Sequence, residues 1–382
     1  MTTYLKADAF YYAQETRGAG YLEIQDGKFS DWLSQAPAGA QVLDYTGYQI
    51  APGLVDTHIH GFAGHDVMDN SAEGMLAMSQ ALPSMGVTSY LPTTLTSSFE
   101  HLRDVSATVA SVVDTTDGAK IQGIYFEGPY FTEKYKGAQN AAYMKDPSLE
   151  EFKIWQEAAQ GLIKKIALAP ERQGVEEFVS NLTKQGVTVA LGHSNATYEE
   201  AQAAVAAGAS VWVHAYNGMR GLTHRELGMV GAMYELPHTY AELICDGHHV
   251  DPKACDILLK QKGHENIALI TDCMTAGGLE DGDYMLGEFP VVVAEGTARL
   301  KSTGNLAGSI LKLKDGLKNV VKWGIANPHQ AVMMASLIPA KSVHIDDVCG
   351  QIKEGYDADF IVLDKDLELV ATYLGGQERF HV

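Results

Sequence analysis

Cysteine is scarce in this chain. Four residues in 382, at Cys245, Cys255, Cys273 and Cys349, show no C-x-x-C spacing. That excludes a disulfide framework or a thiolate metal cluster and leaves reduced, buried thiols as the reading. Positive charge is scarce as well: 28 Lys and Arg stand against 48 Asp and Glu, a formal net charge of -20. Such a balance argues against nucleic acid or an anionic membrane as the main partner, although a single Arg or His can still hold a phosphate on an acidic protein. No apolar run approaches the roughly eighteen residues of a membrane-spanning helix. The opening MTTYLKADAF has no basic stretch followed by an apolar one, so no signal peptide is expected. Tandem repeats and low-complexity tracts are also missing. These absences lead to the expectation of a soluble, cytoplasmic protein, and the 46% hydrophobic fraction is ample for a core.

Two textures alternate along the chain. Residues 1–51 read as short strands and turns, around Phe10-Tyr-Tyr12, Tyr21-Leu-Glu-Ile24 and Val42-Leu-Asp-Tyr45, with Asp26-Gly27 as a hairpin turn. From Pro52 short apolar strands alternate with helical stretches, the signature of βα units and a parallel sheet. Eight candidate strands end near His58, Pro92, Phe126, Ala169, Leu191, His214, Cys245 and Thr271. Eight such units predict an α/β fold, a (β/α)8 barrel, with catalytic residues at the C-terminal strand ends. Beyond Asp272 the spacing predicts a long glycine-rich loop over 275–287, a hairpin around Glu295-Gly296, helices over 306–323 and from Asn327-Pro328, then strands over 359–364 and 369–374. The end of the chain resembles its beginning. The expected organisation is therefore a small β-sandwich domain from 1–51 and 342–382, with a metallo-hydrolase barrel at 52–341 inserted between.

Histidine and carboxylate residues cluster at these strand ends. His58 and His60, two apart in an extended segment, project to one face and can share a metal ion. Glu127 follows the third strand, His193 the fifth, His214 the sixth and Asp272 the eighth. Each alone is more often a capping or core residue. Together, at the ends of five strands of one barrel, they form a ligand set suited to zinc or iron.

The segments PGLVDTHIHG (52–61), YFEGPYF (125–131), KGAQN (136–140), LGHSNAT (191–197), HAYNGM (214–219), GMVGA (228–232), CDGHHVDP (245–252), LITDCMTAGG (269–278) and GNLAGS (304–309) carry a resemblance that spans nearly the whole chain. The chain resembles the amidohydrolase superfamily and, within it, the N-acetylglucosamine-6-phosphate deacetylases. The resemblance implies that Glu127, His193 and His214 hold a divalent transition metal. His58 and His60 would complete a second site bridged by Glu127, giving one or two ions, zinc or iron, per subunit. Many superfamily members use a carbamylated lysine after the fourth strand; here that strand ends Ala169-Pro170-Glu171 and Glu127 takes the bridging place. Asp272 is the implied general base toward water and then acid toward the leaving amine. Arg225 and His249 match phosphate-contacting positions. Ala138, Gln139, Asn217, Gly218 and the Leu306, Ala307, Gly308, Ser309 loop match contacts to a small phosphorylated amino sugar, although some members carry histidine where Gln139 stands. One phosphate ligand can come from a neighbouring subunit in this family, which implies a homodimer.

The expected reaction is metal-dependent hydrolysis of N-acetylglucosamine 6-phosphate to glucosamine 6-phosphate and acetate. Alternatives are the same chemistry on N-acetylgalactosamine 6-phosphate, a cyclic amidase or deaminase, or a non-catalytic barrel that binds without reacting. The filled set of ligand and base positions argues against the last.

Overall fold

The structure is a computed structural model and describes residues 2–382. Eight parallel strands form the barrel: Leu54–Ile59, Val87–Thr94, Ile124–Tyr130, Ile163–Leu168, Thr188–Leu191, Val211–Trp212, Tyr240–Ile244 and Ile267–Ile270. Each pairs with the next in parallel register. The ring is completed where the first strand meets the eighth: Asp272 N–H donates to His58 O at 2.9 Å and His60 N–H to Cys273 O at 2.8 Å. Alternation along a strand decides which residues enter the barrel. Phe126, Ile166, Leu168, Val189, Leu191, Leu243 and Leu269 belong to the large outer core against the helices. Tyr125, Ala167, Ala190 and Val211 join an inner layer with Val55 and Leu91. Glu127 follows Tyr125 by two and so faces inward toward the barrel mouth.

The crossover helices start and stop where their sequences dictate. Tyr198–Ala207 opens on a Thr197–Glu200 capping box and closes on Gly208. Pro252–Lys262 opens on Asp251, with Pro252 in its first turn. The helix expected over 306–323 is shorter, Leu313–Lys322. Residues before it pair sideways instead of along a helix: Ala307 N–H donates to Ala298 O and Ser309 N–H to Asp272 O. The loop expected at 275–287 contains a strand, Gly282–Leu286, which pairs with Phe289–Ala294, itself paired with Thr297–Leu300.

The chain termini build one eight-stranded sheet. Its path runs Gln377–His381, Leu369–Leu374, Phe360–Leu363, Val42–Pro52, Thr2–Tyr11, Gly20–Gln25 and Lys28–Leu33, with Thr16–Arg17 beside Thr2–Tyr11. Asp26 and Gly27, both at positive φ (51 and 79), make the tight turn between Gly20–Gln25 and Lys28–Leu33. The sheet curls so that Lys28 bridges to Asp357 and Phe29 packs on Phe360 at 6.4 Å around a separate core. The strand Gln377–His381 had no sequence signal, because an exposed edge strand carries no apolar alternation. Val343, Ile345 and Cys349 still belong to the inner barrel layer. We therefore propose that the second domain boundary lies beyond Cys349. Among the described residues no helix is long and apolar enough to cross a membrane.

Candidate metal and active site

Six side chains from five strands converge at the barrel mouth. His58 and His60 reach it as alternate residues of the first strand, their ring centroids 5.2 Å apart. Glu127 stands at the centre. Its Oε1 lies 3.2 Å from His193 Nε2, 3.3 Å from His214 Nε2 and 3.5 Å from His58 Nε2, and its Oε2 lies 3.3 Å from His60 Nε2. Asp272 Oδ1 faces His60 Nε2 at 3.1 Å and His58 Nε2 at 3.4 Å. Two three-residue groups result, His58 with His60 and Asp272, and Glu127 with His193 and His214. All six are buried.

Three of these residues sit in left-handed backbone conformations: His193 (φ 45), His214 (φ 28) and Asp272 (φ 51). Each comes two residues past the end of its strand, and the positive φ swings its side chain back over the barrel axis. Non-glycine residues hold such angles only where their surroundings over-determine them, a pattern concentrated at functional sites. Here the surroundings are hydrogen bonds: the His214 N–H donates to Glu242 Oε2 at 3.3 Å and the Asp272 N–H to His58 O at 2.9 Å, and the imidazole rings are held as well. His193 Nδ1 meets Tyr135 O at 2.9 Å, His60 Nδ1 meets Thr93 O at 3.1 Å and His58 Nδ1 meets Glu242 Oε2 at 3.0 Å. Each bond leaves Nε2 free to face the carboxylates. His58 Nε2 is fully buried with no hydrogen-bond partner. Such an atom, beside two carboxylates, fits a cation.

The electrostatics point the same way. Burial pushes the Glu127 carboxyl up, but the surrounding imidazoles outweigh it and hold the group well below the ordinary range. Burial likewise pushes Asp272 up, and His58 and His60 bring it down to about 2. Burial pulls His58 down, yet Asp272, Glu242 and Glu127 raise it to about 9. The buried carboxylates of this cluster call for positive charge beside them. A divalent transition metal would supply it through the same Nε2 and carboxylate atoms.

A cavity of about 150 Å³ opens on the cluster, lined by His60, Glu127, His193, His214 and Asp272 and also by Gly137, Ala138, Gln139, Asn217, Gly218, His249, Leu306, Ala307 and Gly308. The third-strand loop, the sixth-strand turn and the loop before Leu313–Lys322 thus supply the walls. Gln139 donates to Glu127 Oε2 and accepts from Thr96 N–H, so its amide steers the central carboxylate. Two sequence-derived positions lie elsewhere. Ser309 does not line the cavity; its hydroxyl donates to Thr271 O at 2.6 Å, and its N–H donates to Asp272 O at 2.7 Å. It braces the Asp272 turn. Arg225 is exposed and lines a separate surface cavity with Arg220, Glu226 and Leu227.

Sequence reasoning missed several residues. Asp246 Oδ2 lies 2.6 Å from His249 Nδ1, and its Oδ1 accepts the N–H groups of His248 and His249. The motif CDGHHVDP contained this signal, an Asp able to fold a local turn onto the histidines. Lys165 and Glu242 are fully buried and hydrogen-bonded to each other inside the barrel. Their signal was a charged residue inside an apolar strand, in Ile163–Leu168 and in Tyr240–Ile244. Lys165, the inward lysine of the fourth strand, does not line the cavity.

Known proteins agree with this geometry. The Amidohydrolase family profile matches residues 50–380. The chain is 42% identical to an N-acetylglucosamine-6-phosphate deacetylase of Vibrio furnissii, over 87% of this chain and 83% of that protein. It is 37% identical to an N-acetylgalactosamine-6-phosphate deacetylase of Escherichia coli O157:H7, over 94% and 95%. A solved structure of a mutant N-acetyl-D-glucosamine-6-phosphate deacetylase from Mycobacterium smegmatis, in complex with N-acetyl-D-glucosamine-6-phosphate, superimposes with a TM-score of 0.94 at 30% identity, covering 99% of both chains. The barrel, the strand-end ligand set and these matches together place the chain in the amidohydrolase family.

Proposed function

We propose that this protein hydrolyses the acetamide of N-acetylglucosamine 6-phosphate, giving glucosamine 6-phosphate and acetate. The observation that carries the reading is the convergence of Glu127, four imidazoles and Asp272 in one buried cluster, of which Glu127, His60, His193, His214 and Asp272 line the cavity. The deacetylases it resembles, at 42% and 37% identity, are named for this reaction or for its galactosamine counterpart.

Glu127, His193 and His214 would hold one divalent ion, and His58, His60 and Asp272 a second. Zinc and iron both suit these donors. A bound ion supplies Lewis acidity, polarising a carbonyl and acidifying water. The chain's own groups do the rest. Asp272 is ionised and turned into the cavity, so it takes the proton of the attacking water and returns it to the departing amine. The imidazoles are unavailable for that work. Their Nε2 atoms face Glu127, and the Nδ1 atoms of His58, His60 and His193 are already engaged. The cluster's side chains are buried and reach solvent through the cavity. His249, fixed by Asp246, and Asn217 offer hydrogen bonds to polar substituents of the sugar phosphate.

Among the described residues no Lys or Arg lines this cavity, although a phosphate calls for a cation. We infer a homodimer in which Arg225 completes the neighbouring subunit's site. A cytoplasmic location belongs to the same proposal, since phosphorylated sugars do not cross membranes unaided.

Acetate release from metal-loaded protein tests the function. The panel is the 6-phosphates of N-acetylglucosamine, N-acetylgalactosamine and N-acetylmannosamine, with their unphosphorylated forms. The highest kcat/KM is expected for N-acetylglucosamine 6-phosphate, falling about 100-fold without the phosphate. A preference for the galactosamine compound would move the assignment to that substrate. No acetate from any of them would overturn the deacetylase reading and leave a cyclic amidase, a deaminase or a non-catalytic binding protein.

A further inference from the structure

Lys165 and Glu242 form an ion pair sealed inside the barrel, both at 0% exposure. Neither lines the cavity. A buried ion pair of this kind is commonly no more stabilising than apolar residues of the same volume. Packing therefore does not account for it, and what Glu242 touches does. Its Oε2 meets His58 Nδ1 at 3.0 Å and also accepts the backbone N–H of His214 at 3.3 Å. Its Oε1 takes the Lys165 ammonium. Lys165 Nζ lies 3.7 Å from the centre of the Tyr125 ring, and that ring stands edge-on to His58 at 4.9 Å. One carboxylate thus reaches both groups of candidate ligands: the ring of His58 in one and the strained turn of His214 in the other.

We propose that Glu242, charge-balanced by Lys165, is the positioning residue that prepares His58 to bind the second metal ion. The proposal rests on reading His58, His60 and Asp272 as a metal-holding group. The carboxylate accepts the Nδ1 hydrogen bond, which fixes the tautomer and the ring plane and leaves the Nε2 lone pair aimed at the cluster. Lys165 supplies the counter-charge, so this carboxylate can stand in an apolar interior. Carboxylate partners of metal-bound histidines act in this way, and losing one typically costs about 10- to 100-fold in metal affinity.

The test is calorimetric titration of Zn2+ into chelator-stripped protein, reading the number of ions and the affinity of each. Two double variants avoid stranding a buried charge. Lys165→Met with Glu242→Leu removes the acceptor. Lys165→Met with Glu242→Gln keeps an amide oxygen at the same place. Melting curves establish that both fold. The first variant is expected to lose about 10- to 100-fold in affinity for one ion only, with the second variant close to wild type. If wild type binds two ions and the Leu variant binds both as tightly, the positioning role is overturned while the metal site stands. Equal weakening of both ions in both variants would also overturn it, by showing a structural effect alone. Wild-type protein that takes up a single ion overturns the underlying reading of the His58, His60 and Asp272 group, and this proposal with it.

Discussion

Asp272 is the residue on which the proposed chemistry turns. Strain at φ 51, the Ser309 brace and two imidazoles all hold one carboxylate against the cluster. Asp272→Asn preserves shape and removes the proposed base. The expected result is a loss in kcat of about 100- to 10,000-fold, with the Glu127, His193 and His214 ion retained by metal analysis. Near-normal turnover would take Asp272 out of its role. The six clustered side chains were legible in the sequence because metal ligation tolerates few residue types, and strands deliver them at fixed positions. The roles of Asp246, Glu242 and Lys165 were not. A charge in a sequence ordinarily reads as solvated, and only the fold shows these three turned inward onto other side chains.

At the level of elements, loops press on the clustered side chains. Gly218, at φ 61, belongs to the turn after the sixth strand, and a Cβ there would come within 3.1 Å of His193 Nδ1. Gly218→Ala should cost about 1–2 kcal/mol for the left-handed conformation and should also displace the ring from Tyr135 O. Lower metal occupancy together with a lower Tm is the expected outcome. Wild-type occupancy would show that the turn yields without moving His193. The helix Pro252–Lys262 offers a pH test. Lys262 Nζ donates to Leu236 O and Thr239 Oγ1, and burial brings its pKa from 10.5 to about 8. The unfolded chain then binds the extra proton between those values, so stability contributed by this group rises with pH from about 8 toward 10.5 and is lost as pH falls through 8. In Lys262→Met that rise should be missing from melts taken across the window; an unchanged pH slope would show that Lys262 stays solvated. Elements with clear composition and end signals, such as the Ala-rich helix Tyr198–Ala207 between Thr197 and Gly208, were readable. The helix start at Leu313 was not, because Leu306, Ala307 and Ser309 pair sideways with residues 298–299 and 272–274.

For the whole molecule, the position of Arg225 is the deciding fact. It lies outside the candidate site of its own chain and lines a surface cavity with Leu227, which is 41% exposed. If a second subunit covers this face, the chain sediments as a dimer, and Leu227→Glu shifts it toward monomer with a raised KM for the phosphorylated sugar. Arg225→Ala should raise KM without changing the mass. A monomeric wild type with full activity would undo the shared site.

Sequence by itself determined the barrel, the β region shared between the termini and the identity of the six side chains that cluster at the barrel mouth. All three follow from local rules: apolar periodicity, turn residues and the narrow chemistry of ligands. Only the tertiary structure decided what those side chains face. It turned His193, His214 and Asp272 inward through strained backbone, placed Gln139 on Glu127, sent Arg225 to the surface and Ser309 under a turn, and buried Lys165 with Glu242 behind His58. These outcomes depend on contacts between segments far apart in the chain, where spacing carries no information about direction.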